Sequence, residues 1–243
     1  VNTVIPYFQR FMEAFPDVQS LAAADPDVVL HHWTGLGYYA RARNLHRTAQ
    51  QLTRERGGEL PDTVEALTAL PGIGRSTAGA IVALGFGKPA TILDGNVKRV
   101  LTRCFAVAGW PEQSRIKREL WDLAESLTPS KRTAAYTQAI MDLGATVCTR
   151  ARPACGECPM QDQCLPPTPA SISSSPGRKP ANALPVKATV MHMLHNRHNQ
   201  VLLEKRPPSG IWGGLWSFPE TSRTDQFPAG LLIGLEAARA EHW

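Results

Sequence analysis

No apolar run in this chain approaches the roughly 18–20 residues that a membrane-spanning helix requires, so such a span is excluded. No secretory signal pattern is visible, which makes a reducing, cytoplasmic setting the default and a disulfide framework an unfavoured one. There is no internal repeat. Few stretches before residue 148 alternate like strands, so that part does not read as a β domain. The charge excess is also small. Lys and Arg number 26 against 21 acids, a net +5, which favours a polyanionic partner only weakly. Hydrophobic residues make up 43% of the 243, enough for a sizeable core and too many for wholesale disorder.

What is present is mostly helical. Apolar residues recur at three and four through residue 147, broken by Gly and Pro. This predicts helices at about 1–15, 17–23, 26–32, 38–56, 62–69, 75–86, 95–107, 113–127 and 131–147. The helical pattern reaches both ends without a start or stop signal, so the chain is expected to belong to a longer one. Residues 165–185, rich in Pro, Ser and Ala, read as an extended linker. After it the period changes. Lys187–Leu194 and Gln200–Lys205 read as two strands of a hairpin, opening a mixed α/β module over 186–243.

Four of the five cysteines, Cys148, Cys155, Cys158 and Cys164, lie in one stretch with six, two and five residues between them. A disulfide pair and a structural zinc are two readings. Zinc sites usually present two close ligand pairs across a longer loop. Four thiols in one short wrap with a single C-x-x-C instead point to a [4Fe–4S] cluster, each iron taking one thiolate. Arg150 and Arg152 lie between the first two cysteines, where a pinned loop could hold them against a phosphate backbone or leave them solvated. The fifth cysteine, Cys104, falls in an apolar helical pattern and reads as core.

Two further motifs carry chemistry. In "LPGIGRSTAGAI" (70–81), Gly72 and Gly74 permit positive φ and a new helix begins near Arg75. Such a hairpin exposes backbone N–H groups to a phosphate, although an ordinary helical corner would look the same. In "ILDGNVKRVL" (92–101), Asp94 precedes a helix and reads first as an N-cap. The same carboxylate could face a developing positive charge on a sugar, with Asn96 holding it.

Together the hairpin, the Asp-bearing turn and the cysteine loop resemble the helix-hairpin-helix base-excision DNA glycosylases. Within them, "TVIPYFQRFMEAFP", "WTGLGYYARARNLH", "MDLGA" and "RPPSGIWGGLWSFP" closely resemble the adenine DNA glycosylases (MutY type). The resemblance runs from residue 1 to about 220. It implies a mainly α helix-hairpin-helix glycosylase core over 1–147, a [4Fe–4S] loop over 148–164 and a partial α/β Nudix-like module over 186–243.

It further implies removal of adenine opposite 8-oxoguanine or guanine in double-stranded DNA, by hydrolysis of the N-glycosidic bond. The protein would act as a monomer associated with a bacterial nucleoid. By the same match, Asp94 stabilises the sugar cation, Asn96 orients it, and Tyr38 wedges into the base stack. Ser76 stands where endonuclease III, a glycosylase and lyase, carries its lysine nucleophile. Serine cannot form an imine, so a monofunctional enzyme is expected. The family's proton-donating glutamate lies just upstream of the matched segment, so these 243 residues alone are expected to excise adenine very slowly. An endonuclease III-like lyase and a non-catalytic lesion-binding iron–sulfur module are the competing readings. No Nudix catalytic box is found, and Trp212, Trp216 and Phe218 read as core of the second module.

Overall fold

The computed structural model describes residues 4–165, 172, 175–180, 186 and 188–222. Contacts divide the chain into two units, one of residues 1–35 and 41–181, the other of residues 36–40 and 182–243.

The described part of the first unit is helical. In order come α1 (Val4–Ala14), α2 (Val18–Ala23), α3 (Pro26–His32), α4 (Tyr39–Arg56), α5 (Val64–Thr68), α6 (Arg75–Ala80), α7 (Gly95–Cys104), α8 (Ser114–Leu127) and α9 (Thr133–Asp142). Side-chain caps set several of the starts. Asp17 and Ser20 form a capping box at α2, Asp25 accepts from Asp27 N with Pro26 opening α3, and Thr63 accepts from Ala66 N at α5. Helix α7 stops at Cys104, short of the expected 107, because Ala106 takes a left-handed backbone with φ 51°.

Helices α6 and α9 do not end where their α pattern does. Each runs on as a π turn, Ile81–Gly85 and Leu143–Val147. Both turns pack against α9 or α7, where glycines permit close approach. A methyl at Gly79 would overlap the Thr91 carbonyl oxygen, and one at Gly144 would meet Asn96.

The core falls in three parts. Ile92, Val97, Leu101, Ile116, Leu120 and Ile140 join α7, α8 and α9. Leu52, Leu67, Ala78 and Val82 join α4, α5 and α6. Phe15, Leu21, Val29 and Ala49 close the N-terminal side. Helix α1 contributes no buried residue, and Val4, Ile5, Phe8 and Met12 stay exposed. No helix among the described residues is long and apolar enough to cross a membrane.

Only part of the expected linker lies within the described residues. Gly177 N–H donates to Gly109 O at 3.0 Å, and Ser175 O accepts from Arg103 Nε at 3.0 Å. Ser175 and Gly177 are thus tied to the helical unit through Arg103 and the Gly109 carbonyl, contacts that composition alone does not reveal. Residues 166–171, 173–174 and 181–185 of that stretch lie outside the described residues, as do 223–243.

In the second unit the described residues form two antiparallel pairs. β1 (Val190–Met191) pairs with β4 (Glu220–Thr221), and β2 (Glu204–Lys205) with β3 (Trp216–Ser217). The expected hairpin survives only at its turn. His195 bridges Val201 and Leu202 N–H donates to Leu194 O, while the outer strands choose β3 and β4 as partners. Trp212 and Trp216 are 57% and 55% exposed, so they are not core. Arg206 lies over the Trp212 ring and Lys205 over the Trp216 ring, at 5.6 and 5.5 Å from the ring centroids.

Candidate functional site

The turn before α7 is the centre of the first unit's polar chemistry. Asp94 caps α7 by accepting from Val97 N at 2.8 Å through Oδ1. Its other carboxylate oxygen has no hydrogen-bond partner among the described residues, and the residue is only half-buried. One residue earlier, Leu93 N–H donates to Ser76 Oγ at 2.9 Å. The hydroxyl of the hairpin helix thereby fixes the backbone that carries Asp94. On the other side, Gly144 abuts Asn96 so closely that an added Cβ would stand 2.6 Å from the Asn96 Cβ. The Asp94 turn is therefore gripped between α6 and the π turn of α9.

The hairpin linking α5 to α6 is shaped by two different glycine properties. Gly72 has φ +75°, as expected, and lies against Asn44 of α4. Gly74 does not use positive φ. It is the extended N-cap of α6 with φ −87°, and it offers no side-chain cap. The start of α6, like those of α8 and α9, has no side-chain cap, whereas α2, α3, α5 and α7 each have one N–H capped by a side chain. Thr48 Oγ1 donates to Pro71 O at 3.1 Å, so α4 buttresses the hairpin. The hairpin helix is also tied to α8, with Arg75 stacked 3.9 Å from the Trp121 ring centroid and paired with Glu125.

Two arginines one turn apart on α7 connect this turn to the cysteine loop. Arg99 donates to Asn96 Oδ1 at 2.8 Å, to Gly144 O at 2.5 Å and to Cys148 O at 2.7 Å. Arg103 is 4% exposed and donates to Thr149 O at 2.8 Å, Arg150 O at 3.0 Å and the Cys148 sulfur at 3.4 Å. Four acceptors, counting Ser175 O, thus surround one buried cation. The side chains of Arg150 and Arg152 point out into solvent while their carbonyls are held, Arg152 O by Thr149 Oγ1 at 2.6 Å.

All five cysteines are free, which removes the disulfide reading. Cys148, Cys155, Cys158 and Cys164 line one cavity of about 180 Å³, closed by Val100, Leu143, Val147 and Pro153. Among the described residues no three His, Cys, Asp or Glu side chains converge as a single ion would need. The thiols surround a space rather than a point. A soft, sulfur-only donor set around such a space fits a multi-iron group better than one zinc ion. Cys104 is buried in the core, as expected, but also lies on the wall of this cavity. Burial, reinforced by Cys164, pushes its thiol up to about 12, so it is protonated at neutral pH.

Tyr38 belongs to the other unit. It follows Gly35 and Gly37, takes φ 50° and is 80% exposed, so it is no core aromatic.

The pattern of the HhH-GPD superfamily base excision DNA repair proteins matches residues 1–126, more than half of the chain. The chain belongs to this superfamily. The HhH-GPD match covers the hairpin and the Asp94 turn, and a NUDIX domain pattern matches residues 189–242. Among curated HhH-GPD relatives, the adenine DNA glycosylase of Buchnera aphidicola subsp. Acyrthosiphon pisum is 36% identical over 226 residues, covering 93% of this chain and 64% of that protein. The human adenine DNA glycosylase is 35% identical over 271 residues, covering 91% of this chain and 49% of the human one. The chain thus spans about two thirds or less of the length of these relatives. A solved endonuclease III in non-covalent complex with DNA shares the HhH-GPD fold, with 25% identity and a TM-score of 0.59 over 67% of this chain and 75% of that one.

Sequence reasoning named Asp94, Asn96, Ser76, Gly72 and the cysteines as candidates, and did not anticipate the packing of Asn44 and Gly144 or the bridging bonds of Arg99 and Arg103. The i, i+4 spacing of the two arginines was the available signal, but a charged helical face reads as solvated until its partners are known.

Proposed function

We propose that the protein carrying this chain is a monofunctional, monomeric DNA glycosylase that removes adenine opposite 8-oxoguanine or guanine in double-stranded DNA. The observation that carries this reading is the Asp94 turn. One carboxylate oxygen accepts at the helix cap, the other has no hydrogen-bond partner among the described residues, and the backbone is tied to the hairpin helix through Ser76. Identity favours adenine glycosylases, at 36% and 35%, over endonuclease III at 25%.

The chemistry follows from these groups. The hairpin's open N–H groups and the exposed Arg150 and Arg152 grip phosphates without reading sequence. Tyr38 enters the base stack and helps hold the extruded adenine, whose flipping costs a few kcal/mol. As the C1′–N9 bond breaks, its electron pair leaves with the base and positive charge grows on the sugar. A carboxylate about 4 Å from that charge is worth roughly 4 kcal/mol at an effective dielectric of 20, or about 10³-fold in rate. Asp94 supplies it, Asn96 and Arg99 hold the turn, and water completes the hydrolysis. The proton for the leaving base is assigned, by the family resemblance, to a glutamate with no counterpart among these 243 residues. Ser76 offers no amine, so no imine forms and the strand is not cut by that route.

Cys148, Cys155, Cys158 and Cys164 would hold a [4Fe–4S] cluster. Bound there, it cross-links the loop that presents Arg150 and Arg152 and adds no step to the hydrolysis. The NUDIX-like unit reads the oxidised guanine opposite the adenine. The test is release of adenine from duplexes containing A opposite 8-oxoguanine and A opposite T. Release from the first and not the second supports the proposal. Equal release, or a borohydride-trapped protein–DNA adduct, refutes it.

A further inference from the structure

The cavity that holds four ligand cysteines has a fifth thiol in its wall. Cys104 is 8% exposed and lies among Val100, Leu143 and the ligand cysteines. It is not evenly placed among the four. Leu165 N–H donates to Cys104 O at 3.0 Å, so the chain immediately after Cys164 is pinned to Cys104 itself. The Cys164 sulfur stands 4.0 Å from Arg103 O, one residue before it. Both Cys164 and Cys148 pack against the hydrophobic cluster that contains Cys104. Cys155, by contrast, is exposed on a short 3-10 turn (Cys155–Glu157).

We propose that Cys104 is a reserve iron ligand for the cluster corner held by Cys164. This rests on the cluster reading above. When Cys164 cannot bind, the Cys104 S–H gives its proton to water and its thiolate forms the iron–sulfur bond at that corner. One S–H bond is exchanged for one Fe–S bond, and no electron is transferred. A coordinated thiol is deprotonated outright, so the usual preference of this buried group for its neutral form does not prevent the exchange. Apart from Gln161 and Arg103, the rest of the described wall is apolar, and Cys104 supplies its one further sulfur. The α7 backbone, fixed by the Arg103 bonds, keeps the reserve sulfur in place at no further conformational cost.

Four variants of the holo-protein test this: Cys104→Ala, Cys155→Ala, Cys164→Ala and the double variant Cys104→Ala/Cys164→Ala. The readouts are iron per chain and the visible thiolate-to-iron absorption. Cys104→Ala should keep the native iron content. Cys164→Ala should keep about half of it or more, with a shifted absorption band from the altered ligand, while Cys155→Ala and the double variant should fall below about a tenth. The pair is repeated with Cys164→Val, closer in volume to cysteine, in case the alanine protein does not fold. Cys164 variants as iron-poor as Cys155→Ala, or no poorer in the double variant, overturn the proposal. A native protein without iron overturns the cluster reading, and this inference with it.

Discussion

Replacing Gly144 by alanine tests whether the Asp94 turn is gripped from the side of α9. The new Cβ would stand 2.6 Å from the Asn96 Cβ, 3.0 Å from its carbonyl oxygen and 3.1 Å from its carbonyl carbon. Ordinary contact begins near 3.4 Å, so the two backbones must part by about 0.8 Å. Two of the three atoms are main chain, so no rotamer change relieves the overlap. Overpacking of this kind costs about 1–3 kcal/mol, offset in part by the roughly 1 kcal/mol that alanine gains over glycine in a helix. A net loss of about 1 kcal/mol lowers the melting temperature by roughly 2–4 °C in a chain of this size. The displacement acts on Asn96, two residues from Asp94. A shift near 1 Å at a reacting centre costs up to about a hundredfold in rate, so single-turnover excision should fall by ten- to a hundredfold. Gly85→Ala is the control. Gly85 has ordinary φ and nothing within 4 Å of an added Cβ, so it should be neutral or stabilised by up to about 1 kcal/mol. Equal melting temperatures and rates for the two variants would refute the argument.

Other outcomes follow from the same geometry. Arg103→Met should destabilise the cysteine loop by about 1–3 kcal/mol, because three main-chain acceptors and a sulfur lose their donor, and calorimetry with iron analysis should show both losses. Ser76→Ala leaves Leu93 N–H unpaired and should cost about 1–3 kcal/mol in denaturant melts while creating no lyase activity. Affinity for duplex DNA should fall with salt at a slope of about 0.9 per neutralised phosphate, and Arg150→Ala and Arg152→Ala should each reduce that slope by about one. A flat salt response in binding titrations would count against the DNA reading as a whole.

Much of the helical unit was legible because its caps are local. Asp25 followed by Pro26, and Asp17 followed by Ser20, fix α2 and α3 within a few residues, and the predicted spans fall within one residue of those observed. The π turns were not legible. They pack against α9 and α7, elements distant in sequence, and local periodicity carries no trace of that. The same holds for Arg103, whose burial depends on carbonyls between 46 and 72 residues away. In the second unit the turn at 195–201 was readable from "HNRHN", but strand partners were not. β1 pairs with a strand 30 residues on, and a two-residue ladder leaves little pattern to read. Trp212 and Trp216 misled because apolar size was taken for burial. At the candidate site, residue types and spacing marked the four cysteines and the carboxylate as candidates, while the side chains that hold them emerged only from packing.

The most direct measurement is single-turnover release of adenine opposite 8-oxoguanine by the protein carrying this chain and by its Asp94→Asn variant. Asparagine keeps an oxygen to accept from Val97 N–H, so the helix cap, the melting temperature and DNA affinity should change little. The rate should fall about 10³-fold, because the charge facing the sugar is gone. A variant that binds normally and excises at the native rate would contradict the role given to Asp94.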